Sequence, residues 1–303
     1  MSAPLRLGTR KSLMATSQSR RVAERLAQAT GRRSELVGIT TFGDVSRAHL
    51  TQLGGTGVFV SELRNALIAG EVDFAVHSLK DLPTKGDDRI VIAAIPPRDD
   101  PRDAFVGRVP FSELPPGARV GTGSPRRIAQ LRMLRPDLEY VPIRGNADTR
   151  LGKVTSGELD GIVLAAAGLG RIGREEAIAQ VFEVEQVLPA PGQGALAVEC
   201  RADRADLIEL LSAIDDRATR DAVTAERSVL AALEAGCAAP VGAHASGDGN
   251  VLSLTAAVVS ADGRRSVRKS VSGPASAAME LGRDLAAAML AEGAGTLMRE
   301  QVQ

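Results

Sequence analysis

Residues 90–101 read Ile90-Val91-Ile92-Ala93-Ala94-Ile95-Pro96-Pro97-Arg98-Asp99-Asp100-Pro101. The first half is an unbroken apolar run with β-branched residues, the pattern of a buried strand. The second half cannot extend that strand, because its prolines remove backbone donors and fix φ. A strand that stops in such a break marks the chain leaving one compact unit for another. Pro189-Ala190-Pro191-Gly192 is a second break of the same kind. Two breaks predict two crossings between units, and 303 residues suit two or three domains rather than one core.

Working outward, short β-like runs alternate with helical patterns, the grammar of an α/β protein. Before the first break, strands are expected at 5–8, 35–40 and 73–77. A helix is expected over 12–29, closed by Gly31, and another through Phe59, Leu63 and Leu67, ended by Gly70. After the break, strands are expected at 119–122, 138–143 and 161–166. Ser124 followed by Pro125 reads as an N-cap with proline at the first helical position. Past the second break come a strand at 195–200, a helical stripe from Leu207 to Ile214 and a charged helix over 217–234. The tail changes to an alternating strand at 251–259, a strand near 265–271 and a helix carrying Leu281, Leu285 and Met289. The expected division is one α/β lobe from residues 1–96 with 192–215, a second from 97–191, and a small α+β domain from 216–303.

Composition narrows the function. Apolar residues are 44% of the chain and charged residues 24%, ordinary for a globular protein. The 37 basic and 37 acidic residues balance, and aromatics are only 2%, so nucleic acid is not an expected partner. Two cysteines and three scattered histidines form no disulfide framework and no metal-ligand spacing, so no metal is expected. No apolar run reaches the ~18 residues that a membrane span needs. Residues 1–10 carry no secretory pattern, so the expected location is cytoplasmic.

Some constellations carry chemistry. His77-Ser78-Leu79-Lys80-Asp81-Leu82-Pro83 ends a short apolar strand in polar groups, where α/β sheets bind ligands. On the local sequence alone it reads better as a solvated turn before proline. Arg10, Arg126, Arg127, Arg144, Arg150 and Arg171 recur where a strand gives way to a helix. A cation at a helix N-terminus opposes the helix dipole, so a polyanionic ligand is the simplest reason for the repetition. The arginine fork suits carboxylates in particular. Cys237 stands in the Gly/Pro-rich loop Gly236-Cys237-Ala238-Ala239-Pro240, a better setting for covalent chemistry than that of Cys200 inside an apolar strand. Gly54-Gly55-Thr56-Gly57 and Gly192-Gln193-Gly194 are weak nucleotide signals and read better as a lid and a hinge.

Taken in order, these pieces resemble the porphobilinogen deaminase (hydroxymethylbilane synthase) family. The segments are Gly8-Thr9-Arg10-Lys11-Ser12, His77 to Asp81, Asp100-Pro101-Arg102-Asp103-Ala104-Phe105, and Ser124-Pro125-Arg126-Arg127. They continue with Arg144-Gly145-Asn146 through Thr149-Arg150-Leu151, Ala167-Gly168-Leu169-Gly170-Arg171, Pro189 to Gly194, and Glu226-Arg227 through Gly236-Cys237. The resemblance implies two lobes like those of periplasmic binding proteins, crossed twice by the chain, plus the small third domain. It implies a monomer acting on porphobilinogen, with a dipyrromethane cofactor bound through a thioether to Cys237. On that cofactor porphobilinogen units are deaminated and joined head to tail, until water releases hydroxymethylbilane. Asp81 is then the catalytic carboxylate, and the arginines meet the acetates and propionates of the pyrroles. Ser12, Gln18, Ser78, Lys80 and Ser124 are supporting contacts to cofactor or substrate. The chain departs from the family pattern at Thr56, where lysine is common, at Gly123, where serine is commoner, and at Phe42, where a basic residue is frequent. A solute-binding module of two lobes is the competing class, but it needs neither Cys237 nor a third domain. A nucleotide-dependent enzyme is a third class, and the weak glycine motifs give it little support.

Overall fold

The computed structural model describes residues 3–40, 58–235 and 239–299, with side chains in the second stretch from residue 60. The first lobe opens with β1 (Leu5–Arg10), α1 (Leu13–Thr30), β2 (Ser34–Ile39), α2 (Val58–Ile68), β3 (Phe74–Ser78) and β4 (Ile90–Ala94). After the first break come β5 (Asp103–Gly107), β6 (Arg119–Gly121), α3 (Pro125–Leu134) and β7 (Glu139–Val141). Then follow α4 (Ala147–Thr155), β8 (Gly161–Ala165), α5 (Ala166–Arg171) and β9 (Ile178–Val181). After the second break the chain forms β10 (Leu196–Arg201), α6 (Ala205–Ser212) and α7 (Arg217–Ala232). It ends in β11 (Val241–Gly247), β12 (Val251–Val259), β13 (Ser266–Pro274), α8 (Ala278–Ala291) and α9 (Ala294–Arg299).

Two five-stranded sheets share one plan. Their strand orders are β2-β1-β3-β10-β4 and β7-β6-β8-β5-β9. In each, the first three strands are parallel and the fourth runs against its neighbours. The reversed strand is the first one the chain makes after a crossing: β5 after residues 96–101, β10 after residues 189–194. The chain accordingly divides into residues 1–99 with 195–220, and residues 100–194 with 221–303. Each break expected from proline lies within a few residues of a division point. The tail is an antiparallel sheet, β11-β12-β13, covered by α8 and α9.

Local chemistry accounts for the elements that frame the site. Ser12 caps α1, its hydroxyl accepting the Ala15 N–H at 3.3 Å, and Gly31 ends that helix at φ 73°. Ser124 caps α3 in the same way and Pro125 stands in its first turn. Each such cap is worth ~1 kcal/mol. In the first unit, Leu5, Leu7, Phe74 and Val198 pack with Val22 and Leu26 of α1 and with Leu207 and Leu211 of α6. In the second, Phe105, Phe111 and Phe182 meet edge to face at ring separations of 5.5 and 5.1 Å. Among the described residues no helix is long and apolar enough to cross a membrane.

Candidate functional site

In the first unit β1 and β3 are parallel neighbours, Leu7 beside Phe74 and Gly8 beside Ala75. Their carboxyl ends therefore share one sheet edge. That edge gathers Arg10, the last residue of β1, with Ser12 after it, and Ser78, the last residue of β3, with Lys80 and Asp81 after it. Leu79 and Leu82 are buried, and the Leu79 N–H is bound to the Ala195 carbonyl at 3.0 Å. The single turn between them leaves Asp81 exposed. Gln18, buried on α1, donates from Nε2 to Ser78 Oγ at 3.0 Å and ties that helix to the end of β3.

Beneath this edge lies a charged cluster that local sequence did not announce. Glu199 of β10 is buried and accepts from Arg64 Nε at 3.0 Å and Nη2 at 2.6 Å. His77 Nε2 lies 3.3 Å from Glu199 Oε2. Burial pushes the Glu199 carboxyl up, but His77 and Arg64 outweigh it and hold it down to about 2.

In the second unit β6, β7 and β8 are parallel, so the segments that follow them start from one edge. This is the physical basis of the repeated arginines. Arg126 and Arg127 open α3 after β6, Arg144 follows β7 before α4, and Arg171 ends α5 after β8. The antiparallel β5 begins at the same edge, with Asp103 opposite Ala165.

Asp103 is fully buried at that point. Its Oδ1 accepts from Arg127 Nε at 3.0 Å, Arg127 Nη2 at 2.7 Å and Gln193 Nε2 at 2.8 Å. Its Oδ2 accepts from Arg126 Nη2 at 2.8 Å. Arg126 also donates from Nη1 to the Leu188 carbonyl, and Arg127 Nη1 to that of Val163 at 3.1 Å. Burial would raise the Asp103 carboxyl, yet the charges of Arg126 and Arg127 and the bonds it accepts hold it well below the usual carboxylate range. Arg126 and Arg127, expected to meet ligand carboxylates, thus already share a carboxylate of the chain.

That carboxylate does not satisfy them. Both guanidinium groups are buried, so two positive charges face one negative charge. Arg126 Nε is buried and has no hydrogen-bond partner among the described residues. Arg171 is buried and donates from Nη2 to the Gly194 carbonyl at 2.5 Å. Arg150 is half-buried, with Nε on the Gly145 carbonyl at 2.8 Å. Burial and then the charge of Arg127 lower its guanidinium pKa. Arg144 is exposed. Surplus buried positive charge with an orphaned donor fits a ligand bearing carboxylates, and dipyrromethane bears them.

Cys237 lies outside the described residues, as do Thr56 and Phe42. The chain is described up to Ala235 and again from Ala239. Glu226 of α7 is buried and accepts the N–H of Gly192 at 2.7 Å and of Ala245 at 2.9 Å. β11, which starts shortly after Cys237, rests on residues 188–189. The Ala243 N–H binds the Pro189 carbonyl at 2.9 Å, and a Cβ on Gly242 would come within 2.8 Å of the Leu188 carbonyl oxygen. That carbonyl is the one that accepts from Arg126. Cys200 is different. It is buried in β10, and burial pushes its thiol up to about 11, which keeps it protonated and inert. Gly123, where serine is commoner, has a local reason: a Cβ there would come within 2.7 Å of the Ile143 carbonyl oxygen.

Each unit is an α/β lobe with charged residues at one edge of its sheet, which defines a two-lobed α/β protein. The family model "Porphobilinogen deaminase, dipyromethane cofactor binding domain" matches residues 5–209, and "Porphobilinogen deaminase, C-terminal domain" matches 221–291. The chain is 62% identical to the porphobilinogen deaminase of Thermobifida fusca over 98% of this chain and 96% of that one. It is 58% identical to porphobilinogen deaminase 1 of Streptomyces coelicolor over 99% and 98%. Among solved structures it is similar to a Salmonella typhimurium periplasmic binding protein, with TM-score 0.42 and 14% identity over 72% of this chain and 94% of that one. The chain belongs to the porphobilinogen deaminase family.

Proposed function

We propose that the chain deaminates porphobilinogen and joins four of its molecules head to tail into hydroxymethylbilane, on a dipyrromethane held by Cys237. The observation that carries this reading is the buried surplus of arginine around Asp103, a site made for carboxylates at the strand ends of a family member. When bound, the dipyrromethane supplies the pyrrole carbon from which the product chain grows. The residues of this chain do the rest. Arg126, Arg127 and Arg150 hold its carboxylates, with Ser124 beside them. Arg10, Arg144 and Arg171 meet the carboxylates of incoming and growing units. Asp81 stabilises the positive charge that develops at the porphobilinogen methylene as ammonia leaves, and accepts pyrrole N–H bonds. Its exposure at the end of β3 suits contact with a ligand. Ser12, Gln18, Ser78 and Lys80 position groups around it. Residues 216–303 form the cofactor-attachment domain, a reading supported by the C-terminal family model.

The test is turnover. The purified protein should release one ammonia per porphobilinogen consumed and yield hydroxymethylbilane. Asp81→Asn keeps the shape and removes the charge, so it should fold normally and turn over ~10²–10³ more slowly. Near-normal turnover in the folded variant would remove Asp81 from the chemistry.

A further inference from the structure

The cluster at Asp103 raises a question that ligand binding alone does not answer. Asp103, the adjacent pair Arg126 and Arg127, and Gln193 are distant from one another in sequence and meet only in the folded chain. The pocket must therefore fold before any ligand carboxylate can reach it. Two arginines buried without countercharge would oppose that folding strongly, since an unpaired buried ion is among the costliest features a core can hold.

We propose that Asp103 is a resident counter-ion: it stands in for the cofactor's carboxylates while the protein folds, and so makes the arginine pocket stable before the pocket is filled. This rests on the proposed cofactor chemistry. Three features favour it over an ordinary structural ion pair. The charge does not balance, because one carboxylate faces two guanidinium groups. The bonding is also unequal. Arg127 lays Nε and Nη2 on Oδ1, whereas Arg126 gives Oδ2 only Nη2 and keeps a buried Nε without a partner among the described residues. Asp103 thus compensates the cluster without saturating it. The carboxylate, finally, is rigidly placed. It sits on the first residue of a strand paired on both sides, and Gln193 Nε2 bonds both Oδ1 and the Pro101 carbonyl, at 2.8 and 2.7 Å.

The prediction is an asymmetry between empty and loaded protein. Without the cofactor, Asp103→Asn leaves two buried cations uncompensated. With it, ligand carboxylates supply part of the missing charge. Thermal unfolding is measured for the parent and for Asp103→Asn, each loaded by incubation with porphobilinogen and verified by intact mass. The same pair is measured in a Cys237→Ser background. Asp103→Asn should lower Tm in the Cys237→Ser background by roughly twice its effect on loaded protein, or more. A variant that folds only when loaded is the extreme of the same result. Equal losses in the two forms, or a larger loss in the loaded form, would overturn the proposal.

If Asp103→Asn folds in neither form, Arg126→Gln in the Cys237→Ser background decides. It leaves Asp103 balanced by Arg127 alone, so its Tm should stay close to that of the Cys237→Ser protein. Failure of that variant to fold would overturn the proposal as well. A parent that takes up no pyrrole adduct would refute the cofactor chemistry itself, a result distinct from a parent that loads while the losses match.

Discussion

Asp81 and Glu199 show how one lobe uses two carboxylates in opposite ways. Asp81 is exposed between two buried leucines, so the backbone fixes its place while its charge stays available. Glu199 is buried on β10 and engaged by Arg64 and by His77 of β3. Its carboxyl is held down to about 2 in the fold, below the ordinary 4.5. A depressed carboxyl stabilises the fold above its ordinary pKa and loses that contribution as pH falls toward its folded value. Glu199→Gln should therefore cost ~1–3 kcal/mol at neutral pH, because it leaves the partly buried Arg64 beside a neutral group. The Tm difference between parent and variant should shrink as pH is lowered from about 5 toward 2. A difference that stays constant across that range would show that the ionised carboxylate contributes nothing beyond shape.

Among the elements, β11 rests on residues 188–189, whose Leu188 carbonyl accepts from Arg126, and Gly242 is what lets it approach. Gly242→Ala would drive a methyl group to 2.7 Å from the Leu188 Cβ and 2.8 Å from its carbonyl oxygen. Overpacking of this kind costs ~1–3 kcal/mol. It should also displace the carbonyl that Arg126 uses, so cofactor loading measured by intact mass should fall together with Tm. Normal loading at lowered Tm would confine β11 to a structural role. This strand was not legible in the sequence, because Val241-Gly242-Ala243-His244-Ala245 is rich in small residues with weak strand preference. β5 was hidden for another reason: its short apolar run follows Asp100-Pro101-Arg102, which reads as a loop. α5 was absorbed into the apolar run of β8. The capped helices were legible, Ser12 to Gly31 and Ser124-Pro125 onward, because caps are local chemistry.

Across the whole chain, the crossings were legible because proline acts locally, and the repeated arginines because they stand at or soon after strand ends. The ion clusters were not. Asp103 meets Arg126 and Arg127 only through the pairing of β5 with β8, and Glu199 meets Arg64 only through β10 returning after the second crossing. No local pattern encodes such partners. A role for Cys237 therefore rests on the Gly/Pro-rich sequence around it, on family membership and on the inertness of the buried Cys200. The most direct measurement is the intact mass of the purified parent, Cys200→Ser and Cys237→Ser after incubation with porphobilinogen. The account predicts a two-pyrrole adduct on the parent and on Cys200→Ser, and none on Cys237→Ser. An adduct that survives in Cys237→Ser, or that peptide mapping assigns to Cys200, would contradict it.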